Sequence, residues 1–148
     1  AQKLASVFLD TKTLVGYVRH KTGRAHNAFS APEPIYIEPF EGLRWTKPVV
    51  ILTNRRTYSA ANAFVAYLKG RAGVTVVGDV TGGGSGMPLA TELPNGWTLR
   101  FSACPMYDAQ MRHTKAGISP DIRQDLAPDA LQTGRDDIIE RARTLLRQ

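Results

Sequence analysis

The sequence predicts an α/β domain, and three observations carry that prediction. Two continuous apolar runs, "KPVVILTN" and "GVTVVGD", have the pattern of strands covered on both faces, as in parallel or mixed sheets. Between them, Ala60, Ala61, Phe64, Val65 and Leu68 share one broad face of a helix running from Ser59 to Lys69, with Gly70 placed to cap its end. Downstream, "LATELPNGWTLRFSA" reads as a β-hairpin: Pro94-Asn95-Gly96 supplies the turn, and Trp97, Leu99 and Phe101 alternate on one face.

The remaining elements follow from periodicity. Gln2 to Leu9 reads as a short helix with Leu4, Val7 and Phe8 on one side. Leu14–Arg19 and "IYIEPF" are β-rich and flank a polar loop, which suggests a projecting β-arm over residues 14–38. "GRDDIIERARTLLRQ" is a C-terminal helix with Ile138, Ile139, Ala142, Leu145 and Leu146 on one face. Aspartates open it and arginines close it, as the helix dipole favours.

Bulk properties exclude several classes. At 148 residues and 43% hydrophobic, the chain fits one domain with a sizeable core. No window approaches the ~18 consecutive apolar residues of a membrane span. The single cysteine, Cys104, rules out an internal disulfide and a cysteine-built zinc site; in the strand-like "FSACPMYD" it reads as a buried thiol. The formal charge of +6 raises nucleic-acid binding, but the basic residues are scattered and interleaved with acids, the pattern of a solvated surface. No nucleic-acid partner, metal or cofactor is expected.

Ser59 stands where an apolar strand hands over to a helix, and two readings compete there. It is a favoured N-cap residue, although Asn62 at N3 is not the Glu or Gln of a capping box. The same position presents Oγ at the sheet's C-terminal edge, where open α/β sheets bind ligands, and aims the N–H of Ala60 at a developing oxyanion. The glycine run "TGGGSG" lacks the Lys-Ser/Thr of a phosphate-binding loop and does not match G-x-G-x-x-G. Gly82, Gly83 and Gly84 fit better as a loop walling a peptide groove, where a substrate strand approaches closely.

Read together, "LTNRRTYSAANAF", "VVGDVTGGGSGMP", "ELPNGWTLRFSACPMYDA" and "GISPDI" resemble the C-terminal-processing (tail-specific) serine peptidases, in particular their tricorn-like branch. The resemblance runs through the whole chain in order. It implies a crotonase- or Clp-protease-like fold of ββα units, a Ser59 nucleophile, the Ala60 N–H as oxyanion donor, and a protein or peptide substrate. It implies a bacterial cell-envelope location. Pro120 and Asp121 fall on a structural turn of the family.

Departures from the family pattern bear on the base. Gly84 falls where tail-specific enzymes carry a lysine, and Thr114 or Lys115 where the tricorn-like branch carries an acid. His20 and His26 flank an exposed loop; His113 and Lys115 are the internal candidates for a base. The family's "DxRxNxGG" motif and tricorn-like histidine would lie upstream of Ala1. The resemblance therefore implies that residues 1–148 are the C-terminal part of a catalytic domain, inactive alone, with the base supplied from upstream. The alternative is an inactive peptide- or ligand-binding scaffold of the same fold. Apolar surface left by a missing half would favour self-association as a homo-oligomer.

Overall fold

A computed structural model describes residues 1–147. Its elements are α1 (Gln2–Ala5) with a 3-10 turn (Ser6–Phe8), β1 (Thr13–Val18), β2 (Glu33–Ile37), β3 (Val49–Thr53), α2 (Ala60–Leu68), β4 (Val74–Gly78), β5 (Pro88–Glu92), β6 (Thr98–Ser102), β7 (Met106–Asp108), β8 (Ile122–Arg123), α3 (Pro128–Gln132) and α4 (Asp137–Leu146). They form three sheets: antiparallel β2-β1-β7, parallel β3-β4-β8, and the separate hairpin β5-β6. The strand–helix–strand unit read from the sequence is present as β3-α2-β4, with Val49 beside Val74 and Thr53 beside Gly78.

The core gathers Ala5, Leu9, Val15, Ile37, Tyr67 and Leu68, with Phe8, Ile51, Phe64 and Val74 packed around them. It therefore joins α1, the first sheet and the inner face of α2. Phe8 meets Phe64 edge-on, with ring centroids 6.1 Å apart. Burial removes this apolar surface from water at about 25 cal/mol per Å².

Some faces differ from the sequence reading. In α1 the buried residue is Ala5, while Leu4 is 58% exposed, because the segment tightens into a 3-10 turn after a single α-turn. In α2 the buried positions are Asn62, Val65, Tyr67 and Leu68, and Ala60 and Ala61 face outward. β3 is an edge strand with Leu52 42% exposed, not a strand covered on both faces. Residues 14–38 pair antiparallel, but β1 is the middle strand of its sheet and carries buried Val15. The base of the arm is thus part of the core, and its exposed part is the connecting loop with Glu33, Pro34 and Tyr36 of β2. Cys104 is buried as expected, on a bend between β6 and β7 and not in a strand. Asp136 caps α4, its carboxylate accepting from the Ile138 and Ile139 amides at 2.9 and 3.0 Å.

Burial pushes the Tyr67 phenol above its usual range, because the phenolate would lose hydration. A raised acid pKa means that this contribution to stability is intact below the unfolded value of about 10 and is lost as pH rises through the folded value. Thermal melts between pH 9 and 11 should show a steeper loss of stability for the native chain than for Tyr67→Phe. Parallel curves would contradict this.

Candidate active site

The site is assembled at the C-terminal end of β3. Asn54 opens a turn: its Oδ1 accepts from the Arg56 amide at 2.8 Å and its carbonyl accepts from the Thr57 amide at 2.9 Å. Asparagine is suited to this because its short side chain hydrogen-bonds the backbone two residues on. Tyr58 then forms a parallel bridge with Gly83, and the Ser59 amide donates to the Gly83 carbonyl at 2.8 Å.

Ser59 has φ 56° and ψ −115°, a left-handed backbone that a non-glycine residue adopts at a cost of about 1–3 kcal/mol. Its side chain makes no cap hydrogen bond. The cap reading therefore does not describe this residue, since a capping serine has extended backbone and an Oγ accepting from the first helical turn. The Ala60 amide donates to no group among the described residues. Ser59 Oγ thus sits beside a free N–H at the positive end of α2.

The glycine loop is fixed by contacts that leave no room for side chains. A Cβ on Gly84 would fall inside the Tyr58 ring, and one on Gly83 would meet the Lys115 carbonyl; both have positive φ, at 75° and 72°. Gly82 packs its Cα against the Arg55 carbonyl and donates to Thr57 O at 2.9 Å. The Gly84 amide donates to the Lys115 carbonyl at 3.0 Å. Tyr58 thereby fills the space into which a side chain at position 84 would rise. Gly84→Ala should cost about 1–3 kcal/mol through strain and overlap. Part of that loss should return when Tyr58→Ala is added, measured as a coupling in a double-mutant cycle. Strict additivity would show that the ring does not oppose a side chain at position 84.

Beneath the loop lies a buried polar network that the sequence did not announce. Asn62, with no exposed surface, donates from Nδ2 to the Thr114 carbonyl at 3.0 Å and accepts at Oδ1 from Thr81 Oγ1 at 2.6 Å. Thr81 Oγ1 also accepts from the Ile118 amide at 2.7 Å, and Ser85 and Thr114 share a hydroxyl–hydroxyl bond of 2.8 Å. Every buried side-chain N and O atom among the described residues has a partner. The network ties α2, the glycine loop and the segment before Gly117 into one unit.

Two clefts meet at Ser59. One, of about 240 Å³, is lined by Tyr58, Ser59, Gly84 and the hairpin residues Pro88, Arg100, Phe101 and Ser102. The other, also about 240 Å³, is mainly apolar and includes Ala60, Ala63, Met87, Pro88 and Met106. No His, Lys, Asp or Glu lines either cleft among the described residues. His113 lines a different cavity, its ring against Tyr107 and its Nδ1 accepting from the Lys115 amide at 3.1 Å. Lys115 reaches the glycine loop through its backbone, and Thr114 is held in the network. His20 lies 3.5 Å from Cys104 Sγ and 3.6 Å from Glu33, and His26 is exposed in the loop. Asp121 serves the turn: it pairs with Lys69, and its Oδ2 accepts from the Val76 amide at 2.8 Å.

A backbone held under strain to present a serine between strand and helix is a device also found at hydrolase sites on α/β sheets. The chain belongs to peptidase family S41, a family of serine peptidases, whose family model matches residues 1–124. A crystal structure of a candidate peptidase from Parabacteroides merdae is 48% identical over 98% of this chain, with a TM-score of 0.93. Mature CPAF in complex with lactacystin matches 89% of the chain at 15% identity and a TM-score of 0.79, covering 38% of that chain. The tricorn protease matches 99% at 15% identity and a TM-score of 0.58, covering 13% of that chain. At such identities the last two attest the fold alone. The chain spans 46% of the Parabacteroides chain, so it corresponds to about half of that protein.

Proposed function

We propose that this chain carries the nucleophile of a serine endopeptidase, with Ser59 as the attacking residue. The observation that supports this reading most is the strained, uncapped Ser59 beside the unpartnered Ala60 amide. Oγ attacks the scissile carbonyl carbon, a C–O bond forms, and the carbonyl π pair moves onto the oxygen, which the Ala60 N–H receives. The Oγ proton passes to a base and then to the leaving amine as the C–N bond breaks; water then hydrolyses the acyl ester. Among the described residues no His, Lys, Asp or Glu lines either cleft, which supports a base supplied from outside residues 1–148 of the full-length protein.

A second reading, an inactive peptide-binding scaffold, is favoured by Gly84 and by Thr114 and Lys115 at the positions where the family places a lysine and an acid. Fluorophosphonate treatment followed by peptide mass spectrometry separates the two. Labelling of Ser59 in the full-length protein, but not in residues 1–148 alone, supports the peptidase with an upstream base. An unmodified Ser59 in both supports the scaffold.

A further inference from the structure

We propose that Arg100 selects a carboxylate in the substrate next to the bond that Ser59 attacks, which makes peptides bearing a carboxylate at that position the preferred substrate class. This rests on the peptidase reading of Ser59. The cleft on the hairpin side of Ser59 is lined by one charged residue among the described residues, and that residue is Arg100. Its guanidinium makes no hydrogen bond to a described residue, and none of their carboxylates lies within 4.0 Å. Arg19, Arg44, Arg71, Arg112, Arg123, Arg135 and Arg143 are each committed to a carbonyl or carboxylate; of the arginines without a side-chain partner among the described residues, Arg100 is the one that lines the cleft beside Ser59.

Arginine presents a planar fork of donors that fits a carboxylate through two parallel hydrogen bonds, and it stays charged at any working pH. A volume of about 240 Å³ is smaller than a drug-sized pocket and suits a single side chain or chain end. The surroundings favour the same sign. Arg55 and Arg56 occupy the exposed turn before Tyr58 without a carboxylate partner among the described residues, and the chain carries a formal +6. The second cleft, which shares Ser59, Gly84 and Pro88 with the first, offers Ala60, Ala63, Met87 and Met106, so an apolar side chain is accommodated beside the carboxylate. The carboxylate has two sources, a Glu or Asp side chain and the free C-terminus of a chain.

The test uses the full-length protein and four alanine-based peptides: one with Glu at the hairpin-side position and an amidated end, its Gln and Lys counterparts, and one ending in a free carboxylate at that position. The expected result is a preference in kcat/KM of about 10- to 100-fold for one carboxylate peptide over the Gln peptide. Which peptide shows it identifies side chain or chain end. Arg100→Gln should abolish the preference, Arg100→Lys should restore part of it, and Arg100→Glu should shift it toward a Lys-containing peptide, which a merely misfolded variant would not do. Equilibrium binding of the same peptides to the Ser59→Ala protein should follow the same order. Cleavage and binding that ignore both the carboxylate and the charge at position 100 overturn the role of Arg100 while leaving the peptidase reading intact. A protein that cleaves none of the peptides and whose Ser59 resists fluorophosphonate overturns both. One that binds carboxylate peptides through Arg100 without cleaving them upholds the recognition and refutes the chemistry.

Discussion

Ser59→Ala in the full-length protein is expected to lower kcat by about 10⁴- to 10⁶-fold, because a nucleophile acts as a unit with its base and its loss removes nearly the whole covalent route. KM should change little, since the substituted atom is small and the clefts on either side are lined by other residues. The residual rate should come from the amide donor and from binding. Folding should be unaffected, because Oγ makes no cap hydrogen bond whose loss would loosen α2. Steady-state kinetics with a peptide substrate, combined with a thermal melt, check both halves. Unchanged turnover would remove Ser59 from the chemistry. A large fall in melting temperature would show that its hydroxyl supports the fold after all.

The second large effect concerns Asn62. Asn62→Ala deletes two buried hydrogen bonds, leaves the Thr81 hydroxyl without its acceptor and the Thr114 carbonyl with only the Gly117 amide at 3.3 Å, and opens a void where the side chain had no exposed surface. Together these should cost about 2–4 kcal/mol, or a fall in melting temperature of about 4–16 °C at 2–4 °C per kcal/mol. Asn62→Asp keeps the shape but turns an oxygen toward the Thr114 carbonyl, so at neutral pH it should be at least as damaging. Calorimetry on the three proteins decides the point, and melting temperatures within 2 °C of one another would show that the network is dispensable. Because Gly83 holds the Ser59 amide and Thr81 begins the same loop, weakening this tie should also lower the reactivity of Ser59 toward fluorophosphonates.

Much of this architecture was legible in the sequence, for physical reasons that differ by element. β3 and β4 announced themselves as continuous apolar runs, and α2 as an apolar stripe at helical spacing that ends at Gly70. The hairpin was legible from Pro94-Asn95-Gly96, where Gly96 has φ 83° and the Leu93 amide donates to Trp97 O at 2.7 Å. Ser59 stood out by position, but its strain did not, since backbone angles leave no mark on residue type when a serine occupies a site that favours glycine. The buried face of α2 was misjudged because Asn62 is polar, and its burial depends on Thr81 and Thr114, which lie far away in the chain. The β1–β7 pairing, which draws the arm's base into the core, joins residues about ninety positions apart and has no local signal. Tyr58 and Arg100 were missed for a related reason: nothing in their neighbours' identities tells where an exposed side chain meets a cleft.

Among the described residues the hairpin β5-β6 forms a sheet only with itself, and all ten of its strand residues are exposed. The turn that carries Ser59 is braced by other parts of the chain: the glycine loop, Asn62 and the carbonyls of Thr114 and Lys115. On the peptidase reading, residues proposed to face a substrate and residues that hold the Ser59 backbone are therefore under largely separate mechanical constraint. A lineage can rewrite the hairpin beyond its anchor at Ser102, whose Oγ donates to the Ser85 carbonyl at 3.4 Å, changing length, charge or apolar character with little effect on the backbone around the serine. Chemistry and taste for substrate are free to evolve at different rates, and divergence among relatives should concentrate in the hairpin.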